Sequence, residues 1–241
     1  MVLDLEDYSD IHRATLQTVM NHGTIEEERL CQIFKLVCEK FTQYQQNDEE
    51  AKRNLDRVVE TINEKISRFD QTVIKHKYGL NEIEYYVFTS TAKTALAKLQ
   101  NCFNEFELEY FKQMFTNIII NERLCIKPRD ALNLQSNLNG KVTKIRAEKL
   151  TDLWITTGYF YRNNDLIYLG PKSISEFAET IQNLGLDHIK KCSLCEDIAA
   201  WGITCNSCKT ATFHKQCIQK FLARSEKCPS CKKEWTQSME Q

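Results

Sequence analysis

Between Cys192 and Cys231 this 241-residue chain places seven of its eleven cysteines and one of its five histidines in four evenly built pairs. The pairs are Cys192-x-x-Cys195, Cys205-x-x-Cys208, His214-x-x-Cys217 and Cys228-x-x-Cys231. Two residues between ligands let one tight knuckle point both donor atoms at a single ion, with Zn–S near ~2.3 Å. Eight donors fill two tetrahedral sites with none left over and no position open to water, so the sites are structural rather than hydrolytic. This pattern predicts a tail, residues 186–241, that folds around two zinc ions per chain. The spacing leaves two pairings open. Sequential pairing would give one ion to the first two pairs and the other to the last two. Cross-braced pairing would join pairs one and three, and pairs two and four. Cross-bracing ties the segment into one core, which a unit of ~40 residues needs because it buries too little apolar surface unaided.

The remaining cysteines, Cys31, Cys38, Cys102 and Cys125, are scattered through apolar helical patterns and read as buried small hydrophobes. Reduced thiols fit an intracellular protein. The acidic N-terminus, MVLDLEDYSD, lacks the basic start and apolar run of a signal peptide. No apolar stretch approaches the ~20 residues that span a bilayer, so no membrane association is expected. With 32 basic and 33 acidic side chains, the chain has no global pull toward nucleic acid.

Ahead of the tail, apolar periodicity predicts helices over 9–21, 26–41 and 48–69. Extended segments follow over 72–78 and 83–88, around Gly79-Leu80-Asn81. Three helices and a hairpin are the order of a winged helix, and the order returns. Helices are expected over 91–99, 104–121 and 130–138, then from Thr143 to Gly158. A hairpin turns at Asn163-Asn164, and a helix runs from Pro171 to Leu184 with a Ser173-x-x-Glu176 capping box. Phe103, Phe106, Tyr110, Met114 and Ile118 form one apolar face of the 104–121 helix, and Ala147, Leu150, Leu153 and Trp154 that of the 143–158 helix. The fold class is thus mainly α: tandem winged helices, 1–90 and 91–185, followed by a small two-zinc domain. Tyr110, Phe111, Phe115 and the wing aromatics exceed what one small core requires and mark a partner surface. Lys141, Lys144, Arg146 and Lys149 cluster at the start of the last winged-helix helix. They read either as a DNA contact or as a solvated face.

The ligand order, four cysteines, a histidine and three cysteines, resembles a variant RING finger. PHD fingers share this order but usually carry an aromatic two residues before the seventh ligand, where Glu226 stands here. As in RINGs, Leu194 lies inside the first knuckle, Phe221 stands on the central helix where many have Trp, and Pro229 follows the seventh ligand. The resemblance implies that these three contact a ubiquitin-conjugating enzyme. Lys232 or Lys233 lies near the place of an Arg that active RINGs use to touch ubiquitin. The whole chain resembles the non-SMC element 1 family, the variant-RING subunit of the SMC five/six chromosome-maintenance complex. The match rests on Asp10–Gly23, on Phe106–Phe111 and on Cys192–Trp235. It implies cross-bracing, with Cys192, Cys195, His214 and Cys217 on one zinc and Cys205, Cys208, Cys228 and Cys231 on the other. It also implies a nuclear protein that pairs with a MAGE-like tandem winged-helix subunit and a kleisin in DNA repair and recombination. Ubiquitin ligase activity, without a catalytic residue of its own and helped by the MAGE-like partner, is the implied chemistry. A non-catalytic scaffold is the alternative.

Overall fold

The computed structural model describes residues 7–91 and 102–237. Two winged helices repeat one order, helix, strand, helix, helix, strand, strand. The first comprises α1 (Asp10–His22), β1 (Thr24–Glu26), α2 (Glu27–Thr42), α3 (Asp48–Ile66), β2 (Gln71–Lys77) and β3 (Glu84–Ser90). The second comprises α4 (Glu105–Ile120), β4 (Cys125–Ile126), α5 (Pro128–Asn133), α6 (Lys144–Thr156), β5 (Phe160–Asn163) and β6 (Leu166–Leu169). Their antiparallel sheets have matching orders, β1-β3-β2 and β4-β6-β5. The first strand of each sheet was not expected. β1 and β4 are three and two residues long, too short to show alternation, and exist because they pair with β3 and β6. The helix expected over 91–99 falls on residues 92–101, outside the described residues.

The caps act as their residue types dictate. Asn104 accepts from the Glu107 N–H at 3.0 Å while Glu107 accepts from the Asn104 N–H at 3.0 Å, closing a capping box. The Thr143 hydroxyl accepts from the Arg146 N–H at 3.2 Å. The predicted helix to Leu184 is instead broken at Phe177 into α7 (Pro171–Glu176) and α8 (Ala178–Asn183). Ser173 does not cap it: its hydroxyl donates to the Tyr159 carbonyl at 2.6 Å, which holds α7 against the second wing.

The aromatic surplus of the second domain proves to be its core. Tyr110, Phe111 and Phe115 are buried, and Phe111 meets Trp154, Tyr159 and Phe160 at centroid distances of 5.1, 5.4 and 5.2 Å. They are therefore not a partner surface. Phe106 and Leu153, expected inside, are exposed. Thr151 takes the inner place on α6, its hydroxyl donating to the Ala147 carbonyl at 2.9 Å and meeting the Tyr110 hydroxyl at 3.3 Å. A hydroxyl that satisfies itself within its own helix can be buried, so a purely apolar periodicity overlooks it. Cys31, Cys38 and Cys125 are buried as expected, whereas Cys102 is exposed. Burial pushes the Cys38 thiol up to about 11 and keeps it inert.

In the first domain, Glu27 at the start of α2 is a buried carboxylate facing Lys75 of β2 at 2.6 Å and Lys52 of α3 at 3.3 Å. Lys75 also reaches Asp56 at 3.2 Å. Burial works to raise the Glu27 pKa, but the two ammonium groups outweigh it and hold the carboxyl below its usual value. A depressed folded-state pKa gives stability that is present above the unfolded value and lost as pH falls through the folded one. Glu27→Gln is thus expected to cost about 2 kcal/mol at neutral pH. The loss should shrink on acidification below the ordinary carboxylate range. Urea denaturation at pH 7 and pH 3 checks this, and a loss that does not change with pH would refute it.

Contacts divide the chain into two compact units, Met1–Lys77 with Ile83–Glu176, and Tyr78–Glu82 with Phe177–Gln241. The winged helices share the first. There Thr24, at the start of β1, donates from its hydroxyl to the Thr157 carbonyl at 3.2 Å.

Candidate metal centres

The second unit is built on three copies of one turn. The N–H of Glu196 donates to the Cys192 carbonyl at 2.8 Å, that of Lys209 to Cys205 at 2.8 Å, and that of Lys232 to Cys228 at 3.0 Å. Each of the three donors has a positive φ, between 55 and 65°. The tight return of each turn aims both cysteines of a pair inward. The fourth pair uses a different device. β7 (Ile203–Thr204) pairs with β8 (Thr212–Phe213), and β8 delivers His214 as the N-cap of α9 (Lys215–Leu222). One turn into α9, Cys217 returns to the same face.

The eight donors gather as two sets, Cys192, Cys195, His214 and Cys217, and Cys205, Cys208, Cys228 and Cys231, with the donor atoms of each set within 4.8 Å of one another. The arrangement is cross-braced. A tetrahedral zinc with sulfur ligands has donor–donor edges of about 3.8 Å. Cys205 Sγ to Cys231 Sγ is 4.0 Å, and His214 Nδ1 lies 3.8 Å from Cys217 Sγ and 3.2 Å from Cys195 Sγ. The donor sets, S₃N and S₄, are those of closed zinc sites, and the residues fit two such ions.

Within each of the two sets the thiols are shifted in opposite directions. Burial works to raise Cys192, but the backbone N–H groups of Cys195, His214 and Leu194 hold its thiol down at about 7. Cys208, hydrogen-bonded by the hydroxyl and N–H of Thr210 and the N–H of Ala211, is held at about 6. Burial, then the negative charge of Cys192 and Cys195, pushes Cys217 up to about 12. Thiols crowded this closely repel as anions, and a divalent cation at their centre inverts that logic.

Leu194, at the first knuckle, is 38% exposed, whereas Phe221 and Pro229 are half-buried. Ile218 is wholly buried in the small core with Phe213. The basic cluster of α6 is divided in its roles. Arg146 is tied to Glu107 at 2.7 Å and Lys141 lies over the Phe106 ring at 5.4 Å. Lys144 and Lys149 are exposed, but α6 also exposes Glu148, Asp152 and Ile145, the last at 68%.

Several supporting groups had no signal in the ligand pattern. With Nδ1 turned to the thiols, His214 carries its proton on Nε2 and donates to the Ile198 carbonyl at 2.8 Å. Trp235 packs on Phe213, ring centroids 5.9 Å apart, and the Gln237 side chain bridges the Asn206 N–H and the Thr204 carbonyl at 2.8 and 2.9 Å. Residues past the last ligand thus close the module. Gly202 is the one position whose residue type hinted at its role, since a Cβ there would lie 2.6 Å from Thr212 Cγ2 and 2.9 Å from the Phe213 carbonyl.

With this geometry established, known proteins give the context. The family model described as Nse1 non-SMC component of SMC5-6 complex matches residues 12–177, and a RING-like domain model matches residues 192–231. The non-structural maintenance of chromosomes element 1 homolog of Drosophila melanogaster is 32% identical over 229 residues, 94% of this chain and 95% of that one. The Homo sapiens homolog of the same description is 26% identical over 233 residues, 94% of this chain and 84% of that one. Among solved structures, a chain of an Nse1-Nse3-Nse4 complex has the same fold. Its TM-score is 0.73 at 23% identity, covering 97% of this chain and 99% of that chain. Among the described residues no helix is long and apolar enough to cross a membrane.

Proposed function

We propose a function that proceeds from family membership, for this chain belongs to the family of Nse1 non-SMC components of the SMC5-6 complex. It acts in the nucleus as the RING-type ubiquitin ligase subunit of that complex, in DNA repair and recombination. Its partners are a MAGE-like tandem winged-helix subunit and a kleisin, the Nse3 and Nse4 kinds of subunit named with the structural relative. Two zinc ions hold the tail: Cys192, Cys195, His214 and Cys217 bind one, and Cys205, Cys208, Cys228 and Cys231 the other. The ions supply folding energy and no chemistry on a substrate.

The observation that carries the ligase reading is the exposure of Leu194 within a cross-braced arrangement of donors. A leucine left 38% exposed in a module this small is available to a partner. Leu194, Phe221 and Pro229 would hold a ubiquitin-conjugating enzyme, and the contribution to transfer is orientation of the charged thioester rather than covalent catalysis. Lys232 or Lys233 lies near the place where an Arg would offer a planar fork of donors, so transfer by the chain alone is weak and the MAGE-like partner raises it. Lys141, Lys144, Arg146 and Lys149, at and just before the start of α6, are the proposed DNA contacts.

The test is discharge of ubiquitin from a charged conjugating enzyme by the chain alone and by its pair with the MAGE-like subunit. Leu194→Ala should lower discharge at least tenfold, about 1.4 kcal/mol of binding, while zinc content and partner binding persist. If the pair stimulates no conjugating enzyme, or the variant keeps full activity, a non-catalytic scaffold that docks the MAGE-like partner and kleisin replaces the ligase.

A further inference from the structure

His214 is the only nitrogen donor among the eight ligands, and its ring is steered from outside the metal site by the Ile198 carbonyl at 2.8 Å. That carbonyl sits in the loop Asp197–Gly202, which joins the first knuckle to β7. The near end of the loop is pinned by backbone bonds: Cys192 N–H to the Asp197 carbonyl and Ala199 N–H to the Lys190 carbonyl, both 2.8 Å. At the far end, Gly202 lies against β8 so closely that a side chain would collide with Thr212 and Phe213. β8 is the strand that runs directly into His214.

The residue between these supports is Trp201, and its partner comes from far away in sequence. Tyr78–Glu82 belongs to the same compact unit as the zinc-ligand tail. Tyr78 is fully buried and meets Trp201 edge to face, centroids 5.2 Å apart. A Cβ added at Gly79 would lie 3.6 Å from the Trp201 ring, in ordinary contact with it. The segment is itself closed by a bond from the Glu82 N–H to the Tyr78 carbonyl at 2.8 Å. An edge-to-face pair of this geometry adds a long-range anchor to a loop whose Ile198 and Ala199 are also buried.

We propose that Tyr78 and Trp201 are positioning residues for the S₃N metal site, clamping the 197–202 loop so that the Ile198 carbonyl holds the His214 ring with Nδ1 toward its ion. This deepens the two-zinc reading and rests on it. The coupling is specific to one site, because Cys205, Cys208, Cys228 and Cys231 receive no bond from this loop among the described residues. Groups that orient a ligating histidine commonly change metal affinity 10–100-fold when lost.

The experiment uses the full chain. Zinc release to a chromogenic chelator is followed in the wild type and in Tyr78→Ala, Trp201→Ala and Trp201→Phe. Cadmium-113 NMR of the cadmium-loaded proteins separates the S₃N from the S₄ site. Both alanine variants should release one of two equivalents about tenfold faster and shift or broaden the S₃N resonance, with the S₄ resonance unmoved. Trp201→Phe keeps an aromatic ring on Tyr78 and should return release close to the wild-type rate. Unchanged release in both alanine variants, or equal acceleration of both equivalents with both resonances affected, would overturn the coupling. A wild-type chain carrying fewer than two equivalents would instead bring down the two-zinc reading itself.

Discussion

Stripping the metal with a chelator is expected to unfold the tail while the winged helices stay folded, and freshly purified protein is expected to carry two zinc ions per chain. The core of the tail explains the size of the effect. Its buried members are Cys192, Ala199, Cys205, Ala211, Phe213, Ile218 and Cys228, three of them proposed zinc ligands and two alanines. Only Phe213 and Ile218 in this cluster, with Ile198 beside it, are large buried apolar side chains, too few to hold a segment of this size unaided. Structural zinc contributes about 10–16 kcal/mol per site in small metal-folded domains. The cross-brace makes the loss cooperative, because β8 and α9 serve the first site while lying in the chain between the ligand pairs of the second. Cys228→Ser should therefore loosen both sites rather than one. Elemental analysis, together with limited proteolysis before and after chelation, checks the prediction. One equivalent of zinc, or a tail that resists protease without metal, would refute it.

Gly158→Ala is expected to be strongly damaging to the winged-helix unit. Gly158 ends α6 at φ +85°, where the Tyr159 N–H reaches back to the Trp154 carbonyl at 2.8 Å. A left-handed residue at this place is ordinary for glycine and strained for alanine. The larger cost comes from the other domain. A Cβ at Gly158 would lie 2.2 Å from Thr24 Oγ1 and 2.5 Å from Thr24 Cβ, so the start of β1 would have to withdraw from the second winged helix. Strain and overpacking together should cost about 3–5 kcal/mol, and roughly 10 °C in melting temperature. Gly140→Ala is the control. Gly140 has φ +77°, but a Cβ there meets nothing within 4 Å, so only the backbone cost applies, about 1 kcal/mol. Calorimetry of the two variants separates the contributions, and equal shifts would show that the contact with Thr24 carries no weight.

The elements that were legible from residues alone share a property: their reasons lie within a few residues of one another. Asn104 and Glu107 close a capping box across one turn, and Asn164 adopts φ +50° in the hairpin its residue type predicts. The C-x-x-C spacing specifies a knuckle whatever surrounds it. Helices α1 to α3 and the β2–β3 hairpin followed from period and breakers in the same way. What stayed out of reach depends on groups remote in the chain. β1 and β4 carry no pattern of their own and are strands only through pairing with β3 and β6. Apolar count could not say whether Tyr110, Phe111 and Phe115 face a partner or each other. The position of Trp154 and Phe160, from α6 and β5, decided that.

The cysteine and histidine spacing by itself marked eight candidate donors in four pairs, because metal geometry limits how far apart paired donors can stand in sequence. It left the partnering of the knuckles open between two schemes. The tertiary structure decided that question by placing β8 and α9 so that His214 and Cys217 face Cys192 and Cys195. It also decided which cations of α6 are engaged, since Glu107 holds Arg146 from another helix. Only in three dimensions does Tyr78, more than a hundred residues from the ligands in sequence, stand against Trp201. Local spacing encodes the chemistry of each donor pair, whereas the support of those donors depends on contacts made only once the chain has closed on itself.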